Sequence, residues 1–584
     1  MLTMSRLTAC PLDCYDACGI VYDDGKLKAL KNGHTNGFLC PHMNHYESHA
    51  RIEKPRYKGQ EISMDEALLK LQEMLNANLK SETLYYRGSG NFGLMQGVTE
   101  DVFAQIGCYL TEGSLCDGAG EAGIIEGRGS NKNMPLSEIA KSEVVVLWGR
   151  NPHVTSSHLL PLIKDKIIIV VDPVATKIAK MADLFIQIKP HTDIFLAMLL
   201  YRFLHIEDAC DDVFLEEFAS EHEEYYELTQ TIRIKAILDD IGMTLGQIGE
   251  FLHFVVDKKV AIVCGVGIQK YRDGADVMRA IDAFAVGLGL FGKEGSGVAY
   301  LGDSKEAIEM PFETKKAKKV SKVNTPFDRF KTVFIQGANP LAQMPDSNRV
   351  KESISCVENI VYFGLYENET SEIADLVIPA KTFLQKDDVR TSYSHNGMMV
   401  MHKQLESDIG ISEYDLAAYL AQVYGSVLQS ETECIESIKN HAVVKIDGTI
   451  EVENRESVPY KDGFDTDDGE FLFLEEFEVP QKVGEGEFYL LTPKSPKSLN
   501  SQFQRESSVY LNSALGFDEG QRVKLISNTG EVTLGVKINN DLREDCALIY
   551  SGTKGVNNLT TSKHSYEGKN AIFQENFVRI EKIN

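Results

Sequence analysis

Val144-Val-Val-Leu-Trp148-Gly149-Arg150-Asn151-Pro152 reads as a short buried strand that ends in a Gly-x-Asn-Pro turn. The same pattern returns as Val333-Phe-Ile-Gln336-Gly337-Ala338-Asn339-Pro340. Ala182-Asp183-Leu184 follows the first copy, and Ala374-Asp375-Leu376 follows the second at a similar distance. Further apolar runs at Ile167–Val171, Leu184–Ile188 and Val260–Cys264 alternate with helical stretches, one of them running from Asp193 through Leu204. This alternation predicts an α/β fold with parallel sheets covered by helices. We read two related, doubly wound units, at about 140–210 and 255–400. Ligands on such sheets bind outside the carboxyl ends of the strands. Gly149, Asn151, Pro152, Asp172, Gly265, Gly267, Gly337 and Asn339 fall at such ends, and Asp193 opens the following helix. Two copies suggest two similar ligand halves around a pseudo-twofold axis.

Towards the N-terminus, Leu84-Tyr-Tyr-Arg87 leads into Gly88-Ser-Gly90-Asn91-Phe-Gly93, a glycine turn able to bring backbone N–H groups close to an anionic ligand. Cys116 sits among Gly113, Gly118, Gly120 and Gly123, which permit something bulky to lie against the loop. Ser63-Met-Asp-Glu66 is a capping box, followed by apolar residues at helical spacing. Val21 to Leu30 carries a hairpin signal around Asp24-Gly25. Before it stand Cys10-Pro-Leu-Asp13-Cys14-Tyr-Asp-Ala-Cys18 and, after twenty-one residues, Cys40-Pro41. Three thiols spaced by three residues, with a fourth farther on, favour the corners of an iron–sulfur cubane. Zinc is the rival, but a structural zinc site prefers two short ligand pairs.

Towards the C-terminus, 408–486 begins as a helix and passes into an acidic stretch at Asp465-Thr-Asp-Asp-Gly-Glu470, read as solvated surface or linker. From Glu487 onward short strands at even spacing suggest a β-barrel. The expected domains are a cysteine cap at 1–60, the α/β region at 61–480 and the barrel at 481–584.

The 584-residue chain carries a formal charge of −26, which argues against nucleic acid or an anionic membrane surface as partner. Met1 to Thr8 lacks the apolar core of a secretory leader, and no run suits direct membrane insertion. Eleven cysteines without disulfide-type spacing fit a reducing, cytoplasmic setting.

In this order the motifs resemble the molybdopterin oxidoreductases of the dimethyl sulfoxide reductase type, across nearly the whole chain. The marks are the four-cysteine run, Trp148 to Pro152, Val171-Asp-Pro173, Pro190-x-Thr-Asp193, Glu369-Thr370 with Ala374-Asp375, and Asp518-x-Gly520-x-x-Val523. The resemblance implies a [4Fe–4S] cluster on Cys10, Cys14, Cys18 and Cys40. It also implies molybdenum or tungsten held by two molybdopterin guanine dinucleotides, with Cys116 as a further metal ligand. Gly88, Gly90, Asn91, Gly149, Asn151, Pro152, Asp172, Asp193, Gly265, Gly267, Gly337, Asn339, Glu369 and Thr370 would contact the dinucleotides. In the tail, Thr492, Asn500, Gln502, Asn557 and Asn558 resemble the polar pterin contacts.

Two positions depart from the pattern. His42 stands where many members have a lysine between cluster and pterin. Asp117 stands where formate dehydrogenases have a histidine, which demotes formate dehydrogenase and offers a carboxylate as proton donor or acceptor at the metal. The chain is also short for the family and holds no second cysteine cluster, so an external carrier, ferredoxin-like or another iron–sulfur protein, is required. The main reading is two-electron chemistry on a small substrate: a sulfur or arsenic oxyanion, an N- or S-oxide, or formate. The alternatives are a non-redox hydratase-like member and a non-catalytic electron-transfer scaffold.

Overall fold

The computed structural model describes residues 7–31, 33–312, 314, 317–446 and 449–583. Residues 1–6, most of the segment read for a leader, lie outside the described residues. The chain forms two compact units, each assembled from separate segments. The amino-terminal unit combines Met1–Glu112, Ser304–Arg455 and Ser501–Gln504. The barrel unit combines Gly113–Asp303, Glu456–Asn500 and Arg505–Asn584.

Both Gly-x-Asn-Pro turns end central strands of mostly parallel sheets. In the barrel unit the order is Leu184–Ile186, Ile167–Val171, Val144–Trp148, Val260–Cys264, Gly297–Ala299, all parallel. In the amino-terminal unit it is Leu376–Pro379, Asn359–Gly364, Thr332–Gln336, Thr83–Arg87, again parallel. Arg56–Tyr57 and Gln60–Glu61 extend this second sheet at one edge as antiparallel strands. The fourth parallel strand comes from opposite directions along the chain. Val260–Cys264 completes the sheet of the 140–210 region, and Thr83–Arg87 completes that of Thr332–Gln336. The expected range of 255–400 for one unit is thus divided between two sheets.

The repeat extends to individual hydrogen bonds. Gly149 N donates to Val171 O at 2.7 Å and Gly337 N to Phe363 O at 2.9 Å. Asp183 N donates to Ile168 O and Asp375 N to Ile360 O, both at 2.9 Å. In return each aspartate Oδ2 accepts the isoleucine amide, at 2.8 Å from Ile168 and 2.9 Å from Ile360. The recurring Ala-Asp-Leu therefore clamps one strand to its parallel neighbour and satisfies backbone groups that a buried strand start would otherwise leave open.

The capping box is present: Ser63 Oγ accepts Glu66 N, and Glu66 Oε2 accepts Ser63 N, both at 3.2 Å. The helix Met64–Asn76 buries Ala67, Leu71, Met74 and Leu75 against Tyr85, Phe103 and Phe334, while Leu69 faces solvent. The tail closes a six-stranded barrel in the order Phe488–Leu491, Cys546–Leu548, Ser508–Leu511, Glu531–Ile538, Arg522–Ile526, Phe577–Lys582. Leu490, Val509, Leu511, Val523, Leu525 and Val536 fill it, as the alternation of the strands requires. The acidic stretch is not a free linker. Buried Phe464, Phe471 and Phe473 flank it, Asp465 pairs with Lys132, and Asp465 N donates to Arg128 O at 2.9 Å. Among the described residues no helix is long and apolar enough to cross a membrane.

Candidate functional site

In the amino-terminal unit, Leu7–Ala9 pairs antiparallel with Gly19–Asp23, with Ala9 opposite Gly19. Cys10 to Cys18 is the loop that joins them, closed by Cys10 N donating to Cys18 O at 2.9 Å. Cys40 immediately precedes the short helix Pro41–Asn44. Cys10 and Cys18 are buried, Cys14 and Cys40 half-buried. The four thiols act on one another. Burial pushes Cys10 up to about 12, with Cys40 adding repulsion. Burial, then Asp16 and Cys10, raise Cys14 far above the thiol range. Burial, then Cys10 and Cys14, raise Cys18, and burial raises Cys40. Backbone amides oppose this: Leu12 N–H donates to Cys10 sulfur, Asp16 N–H to Cys14, and His42 and Met43 N–H to Cys40. Backbone donors suited to thiolates thus reach three of the four sulfurs. His42 has its imidazole pKa lowered by burial and by His49, and its ring stacks on Phe503 at 5.3 Å.

In the barrel unit, Cys116 lies in the turn before the helix Gly118–Arg128. Ser114 Oγ accepts the amides of Cys116 (2.9 Å) and Asp117 (3.2 Å) and donates to Asp117 Oδ1 at 3.1 Å. Gln269 Nε2 donates to Cys116 O at 2.8 Å, and Lys270 Nζ to Leu115 O at 3.3 Å. Asn570 Oδ1 accepts Gly118 N at 3.2 Å. The glycines here are occupied by protein rather than by a ligand. An added Cβ would lie 2.5 Å from Lys569 O at Gly113, 2.6 Å from Gly568 O at Gly118, 2.8 Å from the Tyr300 ring at Gly120 and 2.2 Å from Ala275 O at Gly123. Cys116 itself is half-buried. Burial pushes nearby Lys270 down to about 8 and Glu121 up to about 7.

At the strand ends, several expected ligand-facing glycines serve turn-on-turn packing instead. A Cβ on Gly265 would meet Gly149 O at 1.8 Å, and Cβ atoms on Gly88 and Gly90 would meet Gly337 O at 2.5 and 2.8 Å. Gly149 and Gly337 hold positive φ of 62° and 55°. Gly267 has open space around it. The two asparagines differ. Asn339 is buried, donates to Glu369 Oε2 (2.8 Å) and Ser501 Oγ (3.2 Å), and accepts from Thr370 Oγ1 at 2.8 Å. Asn151 is half-buried and accepts His153 N at 3.2 Å beside buried Pro152. Asn91 donates to Lys381 O at 2.9 Å and Glu413 Oε1 at 3.0 Å, while its buried Oδ1 has no partner.

Asp172 and Asp193 come together near the ends of the barrel-unit strands. Asp172 Oδ1 accepts Val174 N at 2.8 Å, and Asp193 Oδ1 accepts Trp148 Nε1 at 2.7 Å. Burial lifts Asp172 to about 7 and Asp193 to about 6. In the tail, Gln574 Nε2 donates to Thr492 Oγ1 at 3.4 Å, and Lys494 Nζ donates to Asn500 Oδ1. Gln502, in the amino-terminal unit, approaches Gly90. Asn557 Oδ1 accepts Thr560 Oγ1 at 3.1 Å, and Asn558 Nδ2 donates to Glu531 O at 3.3 Å while its buried Oδ1 has no partner.

A family model for molybdopterin oxidoreductases matches residues 51–409. The chain belongs to the molybdopterin oxidoreductase family. Among curated relatives, the probable oxidoreductase YyaE of Bacillus subtilis (strain 168) is 28% identical over 70% of this chain and 67% of its own length. The F420-dependent formate dehydrogenase subunit alpha of Methanocaldococcus jannaschii is 22% identical over 92% of this chain and 93% of its own length. Among solved structures, acetylene hydratase from Pelobacter acetylenicus superposes with a TM-score of 0.78 at 14% identity, covering 99% of this chain and 100% of that one. That likeness concerns the fold.

The residues present fit the family's pterin cofactor: two carboxylic acids whose pKa values burial raises, asparagine oxygens without partners, and an open glycine turn at Gly267. Gln269, Lys270, Asn570 and Tyr300 around Cys116, and Arg390 beside the cysteine loop, escaped sequence reasoning. Only Gln269 and Lys270 carried a signal, their place just after the Gly265-Val-Gly267 turn.

Proposed function

We propose that this chain is a molybdenum- or tungsten-dependent oxidoreductase. It would bind a [4Fe–4S] cluster on Cys10, Cys14, Cys18 and Cys40 and two molybdopterin guanine dinucleotides, with Cys116 as a protein ligand to the metal. When bound, the metal supplies two-electron exchange with a small substrate, and the cluster supplies single-electron exchange with a ferredoxin-like partner. The observation that carries this reading is the gathering of four thiols, two buried and two half-buried, with backbone amides directed at the sulfurs of Cys10, Cys14 and Cys40. The chain's own work is positioning. Gln269 and Ser114 fix the backbone of Cys116, and Asp117, held by Ser114, stands beside it to give or take a proton. Asp172 and Asp193 offer carboxylates to guanine or ribose donors, whose arrival would offset the burial that raises both. All eleven cysteines are free, which suits a reducing, cytoplasmic setting.

The deciding measurement is iron, molybdenum, tungsten and zinc per chain, on protein purified anaerobically from a host that makes the pterin. We expect about four irons and one molybdenum or tungsten; zinc in place of iron would overturn the cluster assignment. Cys116→Ala should abolish turnover and leave the iron unchanged. The whole-chain fold likeness to a hydratase favours one second reading, the addition of water to a small unsaturated substrate. Turnover without any electron acceptor would select it.

A further inference from the structure

The segment after Asp388 grips the cysteine loop by one backbone carbonyl after another. Arg390 Nη2 donates to Leu12 O at 3.2 Å and to Cys14 O at 3.4 Å. Ser392 Oγ donates to Tyr15 O at 3.0 Å, and His395 Nε2 lies 3.0 Å from Asp16 O. Within the same loop, the amides of Leu12 and Asp16 donate to the sulfurs of Cys10 and Cys14.

Arg390 does more than hold the loop. Its side chain is fully buried, at 0% exposure. The guanidinium lies 4.1 Å over the Phe92 ring, and Phe92 is itself tied to the loop by its N–H donating to Pro11 O at 2.7 Å. Its Nε and Nη1 are buried and have no hydrogen-bond partner. A guanidinium is a permanent cation, and burying one with two donors unmet costs several kcal/mol unless an anion compensates. The bond from Arg390 Nη2 to Cys14 O sets the guanidinium against the backbone of one of the four cysteines. The charge of Arg390 therefore acts on the sulfur site itself.

We propose that Arg390 is a positioning residue that raises the reduction potential of the cluster bound by Cys10, Cys14, Cys18 and Cys40. Reduction brings one electron from the partner carrier, or from dithionite in the test, and makes the cluster more negative by one unit. No proton moves, because arginine stays charged throughout. A fixed cation at the edge of the site stabilises the more negative state, and in a buried site that stabilisation is weakly screened. The inference rests on the cluster assignment above.

The test is an EPR-monitored redox titration of the anaerobically purified full chain, with iron quantified in every sample. Arg390→Gln, with iron unchanged, should lower the reduction equilibrium constant of the cluster at least tenfold, which is 59 mV for one electron. Arg390→Lys keeps the charge and should recover more than half of that shift. A shift of less than tenfold in Arg390→Gln, or a lysine variant that behaves like the glutamine one, would overturn the proposal. If Arg390→Gln fails to hold iron, the wild-type protein decides: with guanidino-15N-arginine incorporated, pulsed EPR of the reduced cluster should show a 15N coupling, and its absence overturns the proposal. Wild-type protein that carries zinc or no iron refutes the cluster assignment itself, and this proposal with it.

Discussion

The two Gly-x-Asn-Pro turns share sequence, backbone and packing, yet they present different chemistry. In both units a glycine of positive φ crosses a glycine turn of the neighbouring strand, and an Ala-Asp-Leu segment clamps one strand to its parallel neighbour. In the amino-terminal unit, Glu369, Thr370 and Ser501 take up the polar atoms of the asparagine. In the barrel unit the equivalent Asn151 keeps one short-range bond and stands near the end of the strand after which Asp172 follows. A duplicated scaffold thus separates into a locked turn and an open one.

The largest effect should come from the turn crossings. Gly265→Ala places a Cβ 1.8 Å from a carbonyl oxygen, and Gly88→Ala places one at 2.5 Å. Each should cost about 3 kcal/mol or more, with Gly265→Ala the worse, measured by hydrogen exchange resolved to each unit. Tolerance of alanine in one unit alone would break the equivalence. Next come the clamps: Asp183→Ala and Asp375→Ala each leave a strand amide without its acceptor and should cost about 1–3 kcal/mol, equally. A clear inequality in urea unfolding would show that the two clamps are not the same device.

The asparagines should then separate. Asn339→Ala removes the hydrogen bonds of a buried side chain to three partners and should cost about 1–3 kcal/mol, against about 0.5 kcal/mol for Asn151→Ala. Equal losses would contradict the distinction between locked and open turns. The gentlest effect is a pH slope confined to the barrel unit. Asp172 ionises near the ordinary aspartate value when unfolded, but near 7 when folded. Folding therefore favours its protonated form, and the contribution of Asp172 to stability is fully present below about pH 4 and lost as the pH rises through 7. The slope is at most about 1.4 kcal/mol per pH unit. Trp148 is the single tryptophan, so its fluorescence reports this unit, and Asp172→Asn should make the profile less steep. A profile unaffected by that substitution would remove the buried acid from the account of the open turn.

Much of the architecture follows from local chemistry that a single chain displays. Apolar runs such as Val144–Trp148 and Phe488–Leu491 are strands with the expected ends, because a buried strand needs unbroken apolar residues and a turn residue to stop it. Ser63 and Glu66 announce a helix because their side chains meet its first amides. The spacing of Cys10, Cys14 and Cys18 reads as a ligand loop because so short a segment keeps its thiols together. What lay beyond reach depended on groups distant in sequence. Strand partners are chosen by complementary apolar faces, so nothing near Val260 or Thr83 reveals which sheet each will complete. Glycines look alike whether a ligand or another backbone fills the missing Cβ, and only folding placed Gly149 against Gly265 and Tyr300 against Gly120. Asn151 and Asn339 occupy the same motif, and Glu369 and Ser501 became neighbours of one of them through tertiary packing. Arg390 lies 378 positions from Leu12, and its effect on the cysteine loop arises because an unpaired charge buried at short range acts with little screening, however far apart the residues stand in the chain.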